Sequence, residues 1–168
     1  MDATHIKLLI TGGTIDDVDY EHEEDAPTDK ASFVPSLIRQ SRVRLPYEHE
    51  IILQKDSRFI TDEDRQHVLD KCRSCAEDKI LITHGSYTMA QTAKVLGEAK
   101  LDKTIVLFGS MVPINESDSD ALFNLGSAFM SVQLLPRGVY IISNGKVFSW
   151  ENVRKNERGK YFEEEHQD

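Results

Sequence analysis

The feature that most constrains the fold is a set of five short apolar runs, rich in β-branched residues, with helical patterns between them. In order they are HIKLLITGG, EIILQKDS, KILITHGS, KTIVLFGS and RGVYIISNG. Nearly continuous apolar runs of this length are typical of strands buried on both faces of a parallel sheet. Two of the intervening segments, TMAQTAKVLGEAKLD and SDALFNLGSAFMSVQLLP, have helical spacing, and the second stops at Pro136. The alternation predicts an α/β fold, a doubly wound and mostly parallel sheet with helices on both faces.

The charge balance of the chain bears on its partners. The 168 residues carry a formal net charge of −9, whereas a surface that binds nucleic acid or anionic membranes is basic. No apolar run approaches the roughly 20 residues that span a bilayer, and MDATHIK lacks the basic and apolar regions of a signal peptide. We therefore expect a cytoplasmic protein that binds neither nucleic acid nor membrane.

The two cysteines, Cys72 and Cys75, form a C-x-x-C in a segment with the pattern of an amphipathic helix. A redox pair is expected at the start of a helix that follows a strand, and a structural zinc site needs two further ligands at matching spacing. Because neither context is present, we expect two reduced thiols on one helical face and no metal site.

Two charged stretches interrupt the pattern. DDVDYEHEEDAPTDKASF contains eight acidic residues between Asp16 and Asp29 and few apolar ones, and is predicted to be a long mobile loop that cannot bury its carboxylates. NERGKYFEEEHQD is also charged and is expected to fray. The predicted organisation is one domain over residues 1–155 followed by a charged C-terminal tail over residues 156–168.

Glycines and hydroxyl side chains cluster where four of the predicted strands end. These ends are Thr11–Thr14, Asp56–Ser57, Thr83–Ser86 and Gly109–Met111. In an open α/β sheet, ligands bind beyond the carboxyl ends of the strands. Glycine lets a ligand approach backbone N–H groups, and hydroxyls offer nucleophiles or hydrogen bonds. The sequence therefore predicts a composite ligand crevice at this edge.

Three other kinds of site fit the sequence less well. A dinucleotide site requires G-x-G-x-x-G and a later acidic residue, and a P-loop requires G-K-[ST], whereas this chain has G-G-T-I. A Ser–His–acid triad requires the elbow G-x-S-x-G, which is missing. His84 is therefore expected to be structural more often than catalytic, and Thr11 is expected to serve the turn.

Two of these motifs, LLITGGTID and ILITHGSYTMAQTAKVL, resemble the two signatures of the bacterial-type L-asparaginases, T-G-G-T-I and H-G-T-D-T-M. Further segments are similar in the same order along the chain, namely DSRFITDED, VLFGSMVP, DALFNLGSA and GVYIISNGKVFSWENVRK. The resemblance runs from Ile6 to Lys155. It implies the N-terminal domain of that family, without metal or organic cofactor, in a homo-oligomer.

The resemblance implies catalytic roles for matched positions. Thr14 is the nucleophile that attacks a side-chain amide, giving an acyl-enzyme and ammonia. Ser86 helps to activate the nucleophile or water, and Lys155 makes that second hydroxyl a better base. A threonine hydroxyl needs such help because it is a poor nucleophile by itself. The family's loop tyrosine aligns with Phe33, so Tyr20 is the candidate to supply that hydroxyl.

The resemblance also implies substrate-binding positions. Ser57 binds the substrate carboxylate beside Asp56, and backbone N–H groups near Gly85 and Gly109 stabilise an oxyanion. Tyr87 stands where the family has an aspartate that pairs with the substrate's α-ammonium. Loss of that charge-assisted contact costs about 1.5–3 kcal/mol.

The implied function is that of an asparaginase-type amidohydrolase acting on a small-molecule amide or amino acid. The alternative is a non-catalytic small-ligand-binding module on the same fold. Thr14, Ser86 and Lys155 favour the enzyme, whereas Tyr87 favours an altered or lost substrate. The family's second, smaller domain is not matched by these residues, so a more open crevice is expected.

Overall fold

A six-stranded sheet forms the centre of the structure, a computed structural model that describes residues 5–166. The spatial order is β2-β1-β3-β4-β5-β6, with β1 to β5 parallel and β6 antiparallel to β5. The bounds are β1 Ile6–Gly12, β2 Tyr47–Lys55, β3 Lys79–Thr83, β4 Thr104–Phe108, β5 Gly138–Ser143 and β6 Lys146–Ser149. The predicted α/β fold is confirmed. The first four residues of the predicted domain and the last two of the predicted tail lie outside the described range.

Four helices cover the two faces of the sheet. Their bounds are α1 Val34–Gln40, α2 Asp62–Ser74, α3 Met89–Glu98 and α4 Ala121–Leu134. Leu9 of β1 packs in one core with α2 and α3, whereas its neighbour Leu8 packs in a second core with α1 and α4. Successive strand side chains point to opposite faces, so the continuous apolar runs supply both cores at once.

The cysteine pair lies at the end of α2. Cys72 is buried in the core, and burial raises the pKa of its thiol to about 12. The helix ends at Ser74, and Cys75 is the next residue, with extended backbone. The expectation that both cysteines lie on the helix is therefore wrong for Cys75. Both thiols are free, and the buried Cys72 is the packing residue expected of a reduced pair.

The segment predicted to be a frayed tail is ordered in the structure. Arg154–Asn156 and Tyr161–Glu163 form an antiparallel hairpin, β7 and β8. Phe162 of β8 is buried and packs against Phe148, with ring centroids 6.4 Å apart. The expectation of fraying is therefore wrong for this hairpin, because one apolar side chain among the charges joins the main core.

The acidic loop is tied down at both ends by one of its own carboxylates. Asp16 is buried, its two oxygens accept hydrogen bonds from the Ser32 hydroxyl at 2.8 and 2.9 Å, and Oδ1 accepts another from the Phe33 N–H at 2.8 Å. Burial raises the pKa of Asp16 against the effect of these hydrogen bonds. The prediction that no carboxylate of this stretch is buried is wrong at Asp16. Glu21–Asp25 are exposed as expected, and the mobility of the loop stays a prediction.

We predict that Phe162→Ala lowers the free energy of unfolding by about 3–5 kcal/mol, because it leaves a cavity in the main core. Tyr161→Ala is the matched control, since Tyr161 is the exposed neighbour on the same strand, and its effect should stay within about 1 kcal/mol. Urea denaturation of the two variants and the wild type measures the difference. Equal effects would show that the hairpin does not belong to the core.

Candidate active site

The turns that follow β1 and β3 touch each other. The two strands are parallel neighbours in which Ile10 pairs with Thr83, so their carboxyl ends leave the sheet side by side. Gly13 has φ 84°, and a Cβ there would lie 2.4 Å from the Gly85 nitrogen. No side chain fits at this contact. Thr14 and Ser86 each follow one of these glycines, so the contact brings their side chains to the same place.

A cavity of about 170 Å³ opens at this point. Four predicted site residues line it, namely Thr14, Ser86, Tyr87 and Lys155, together with Asp19, Met111, Pro113, Glu157 and Lys160. Thr11 lies below it, fully buried, and its hydroxyl donates a 2.6 Å hydrogen bond to the Thr83 carbonyl. That is the turn-stabilising role expected of Thr11, so Thr14 is the threonine that reaches the cavity.

The ammonium of Lys155 lies over the ring of Tyr87. Its side chain is only 8% exposed, and Nζ is 3.5 Å from the ring centroid and 3.9 Å from Glu157 Oε2. Burial lowers the pKa of Lys155. Among residues 5–166 no hydrogen bond joins Lys155 to Ser86, although both line the same cavity, and the Lys155 ammonium makes a cation–π contact with Tyr87 there.

A second cation, Arg58, approaches the same ring. Arg58 Cζ lies 5.3 Å from the Tyr87 ring centroid. Its guanidinium also donates to both oxygens of Asp56, at 2.6–3.1 Å, and is paired with Asp19. Burial alone would raise the pKa of Asp56, but the hydrogen bonds from Arg58 outweigh it and hold that pKa below its ordinary value. The Asp56 carboxylate is therefore already engaged by a cation of this chain.

Four predicted site residues lie outside the lining of the cavity, namely Ser57, Gly85, Tyr20 and Asp56. Ser57 is buried, and its hydroxyl has no hydrogen-bond partner within the described part of the chain. That hydroxyl lies against Gly85, since a Cβ at Gly85 would be 2.6 Å from Ser57 Oγ. Tyr20 is also buried, with its ring stacked on Phe59 at 5.0 Å, and burial raises its pKa. Tyr20 thus does not line the cavity. Asp56 is held by Arg58, and the predicted roles of Tyr20, Ser57 and Asp56 stay predictions.

His84 is a satisfied structural residue. Its ring is buried, with Nδ1 2.8 Å from the Gly85 carbonyl and Nε2 2.8 Å from the Thr92 hydroxyl. Burial lowers its pKa to about 4. Both ring nitrogens are engaged by other groups of the protein, as expected of a structural histidine.

Comparison with known proteins identifies the family of this chain. The family model described as Asparaginase, N-terminal matches residues 5–162. The chain belongs to the asparaginase family. It is 30% identical over 168 aligned residues to a glutaminase-asparaginase of Acinetobacter glutaminasificans, covering 90% of this chain and 49% of that protein. The chain therefore spans about half the length of such curated relatives.

Solved structures of asparaginases share the fold. The thermostable L-asparaginase from Thermococcus kodakarensis superposes with a TM-score of 0.81 at 28% identity, over 95% of this chain and 51% of that one. A probable cytoplasmic L-asparaginase from Campylobacter jejuni superposes with a TM-score of 0.73 at 30% identity, over 90% and 48%. The family resemblance expected from the motifs is confirmed.

The asparaginase motifs missed several residues at or beside the cavity. Arg58 does not line the cavity but lies over the Tyr87 ring, and its position two residues after the buried Asp56, in D-S-R, is a signal that could have identified it. Glu157 and Lys160 lie in or beside the β7–β8 hairpin, which the charge pattern assigned to a tail. The hairpin is joined to the core by the buried side chains of Val153 and Phe162, which no motif indicates.

Two kinds of feature are absent from residues 5–166. No group of three or more His, Cys, Asp or Glu side chains there is arranged to hold a metal ion. None of the helices in that range has the length and apolar character needed to cross a membrane.

We predict that acid destabilises the protein through His84. The unfolded chain binds this proton with a pKa of about 6.5, whereas the folded pKa is about 4. The unfolded state thus holds more protons between these values, so the contribution is present above pH 6.5 and is lost as pH falls towards 4. Between pH 7 and 5 it amounts to about 2 kcal/mol.

The measurement is urea unfolding at pH 7 and pH 5 for the wild type, His84→Gln and His67→Gln. His84→Gln should lose this part of the pH dependence, and His67→Gln, an exposed position on α2, should keep it. An unchanged slope in His84→Gln would contradict the assignment.

Proposed function

We propose that this chain supplies the catalytic residues of an asparaginase-type amidohydrolase, which hydrolyses a side-chain or small-molecule amide and releases ammonia. The observation that carries the proposal is the contact between Gly13 and Gly85, which places Thr14 and Ser86 on one cavity. The buried Lys155 lines that cavity too. Three groups of the types needed for acyl transfer are thus assembled from three separate parts of the chain.

The chemistry assigned to these groups is a two-step acyl transfer. The Thr14 hydroxyl oxygen attacks the amide carbonyl carbon and gives up its proton, the C–N bond breaks, and the nitrogen leaves as ammonia after protonation. Water then hydrolyses the Thr14 ester to a carboxylic acid and restores the hydroxyl. Because burial lowers the pKa of Lys155, its neutral amine becomes more accessible as an acceptor for these protons, directly or through Ser86.

The substrate class, the assembly and the cellular location of the protein are part of the same proposal. Because the chain spans about half of its relatives, activity, substrate and assembly are inferred for it from them. Relatives named L-asparaginase and glutaminase-asparaginase support a small amide or amino-acid substrate. The homo-oligomer rests on the family resemblance alone. The neighbour described as a probable cytoplasmic asparaginase supports a cytoplasmic location.

One observation favours the second candidate, a binding module without turnover. Arg58 already pairs with Asp56 and lies on the Tyr87 ring. A site whose carboxylate is neutralised and whose aromatic ring carries two cations has lost the groups that would hold an amino acid's ammonium. Thr14→Ala distinguishes the candidates, since only the enzyme loses a reaction.

We predict that Thr14→Ala lowers kcat for amide hydrolysis by about 10³-fold or more, as expected when a nucleophile is removed. The fold should be unchanged, because Thr14 is only partly buried. Ammonia release is measured across a panel of small amides, with circular dichroism as the check on folding. Thr14→Ser is the matched control and should keep part of the activity because it retains a hydroxyl. Equal activity in Thr14→Ala would remove Thr14 from the mechanism.

We predict that the wild type prefers succinamate to L-asparagine. The two share the amide and the carboxylate, and only asparagine has an ammonium, which would meet Lys155 and Arg58 on the Tyr87 ring. A preference of about 10-fold in kcat/KM corresponds to about 1.4 kcal/mol. The comparison is made by steady-state kinetics on the same enzyme preparation.

Tyr87→Asp should shift this preference towards asparagine, because a carboxylate would pair with the ammonium. Tyr87→Phe is the control and should keep the wild-type preference, since the ring that carries the cations remains. Sub-millimolar KM for asparagine in the wild type would show instead that another acid supplies the missing charge.

A further inference from the structure

A second and larger cavity adjoins the one at Thr14. Its volume is about 440 Å³, and three residues, Tyr87, Lys155 and Glu157, line both. The remaining lining residues are Ala90, Gln91, Lys94, Trp150, Glu151, Val153, Arg154 and Glu165. We call it the Trp150 cavity. Because Tyr87, Lys155 and Glu157 border both cavities, the Trp150 cavity lies directly beside the cavity at Thr14.

The Trp150 cavity has an aromatic wall held against α3. A Cβ at Gly97 would lie 2.2–2.5 Å from atoms of the Trp150 indole, so the indole packs directly on the backbone of that glycine. Ala90 and Val153 add apolar surface beside it. A rigid indole face with apolar neighbours suits a flat, uncharged group.

The Trp150 cavity is lined by equal numbers of cationic and anionic side chains. They are the cations Lys94, Arg154 and Lys155 and the anions Glu151, Glu157 and Glu165. Arg154 is also paired with Glu163 at 3.0 Å, and Lys155 lies 3.9 Å from Glu157. Because neither sign is in excess, the cavity offers no net attraction for a charged ligand group.

We propose that the Trp150 cavity is a subsite for the acyl group of an N-acylated amino-acid amide, typified by N-acyl asparagine, whose side-chain amide lies at Thr14. This proposal rests on the proposed function and names its substrate class. An acylated α-nitrogen is an uncharged amide, so it avoids the repulsion that an ammonium would meet from Lys155 and Arg58 at Tyr87. The acyl group then continues across the ring into the larger cavity.

The first test measures binding without turnover. Trp150 is the single tryptophan of the chain, so intrinsic fluorescence excited at long wavelength reports on this cavity. In the Thr14→Ala variant, N-benzoyl-L-asparagine should change the Trp150 emission and bind at least about 10-fold more tightly than N-acetyl-L-asparagine. L-Asparagine should leave the emission unchanged at the same concentrations.

A pair of variants tests the location. Gln91→Phe adds bulk at the wall of the Trp150 cavity and should weaken N-benzoyl-L-asparagine binding by about 10-fold. Glu63→Phe adds the same bulk at an exposed position of α2 that does not line the cavity, and should leave binding unchanged. Equal affinity for the benzoyl and acetyl compounds, or equal effects of the two variants, would overturn the proposal.

Wild-type kinetics separate this proposal from the proposed function. A higher kcat/KM for N-benzoyl-L-asparagine than for N-acetyl-L-asparagine, removed by Gln91→Phe, would support both. Benzoyl-selective binding with no ammonia released from any amide would support the subsite and overturn the enzyme. Ammonia released equally from both compounds would support the enzyme and overturn the subsite.

Discussion

The contact between Gly13 and Gly85 is the constraint on which the candidate site depends. A Cβ at Gly13 would lie within 2.5 Å of Gly85 backbone atoms, so two turns from different parts of the chain approach as closely as backbones can. His84 supports the second turn through the Gly85 carbonyl and Thr92. With both turns held in this way, Thr14 and Ser86 reach one cavity without any direct bond between them.

Charge determines what this cavity can accept. Arg58 neutralises Asp56 and shares the Tyr87 ring with Lys155. The face of the Tyr87 ring attracts the cations Arg58 and Lys155 but carries no net charge. Their positive charge at this point is therefore not neutralised, as it would be by a carboxylate. Under the proposed function, such a site would disfavour a substrate ammonium and favour a neutral or anionic group beside Tyr87. The same ring borders both the Thr14 cavity and the Trp150 cavity.

Sequence patterns predicted the elements whose signal is local. The five apolar runs became β1 to β5, and α4 ends at Leu134, just before Pro136. The patterns failed where burial depends on one or two residues in a charged context. Phe162 anchors the β7–β8 hairpin from within a charged stretch, and Asp16 is buried because Ser32 and Phe33 supply its hydrogen bonds. Average composition cannot show such compensation, because the partners are distant in sequence.

The sequence by itself determined the fold class, the family and the identity of the hydroxyl-bearing turns, because apolar periodicity and glycine spacing are properties of the chain. It did not determine which predicted residues share a cavity. Lys155 reaches the Thr14 cavity only because the β7–β8 hairpin packs on the core, and Tyr20 leaves it because its ring stacks on Phe59. Those placements were decided by the tertiary structure, since side chains far apart in sequence compete for the same buried volume and for the same cations.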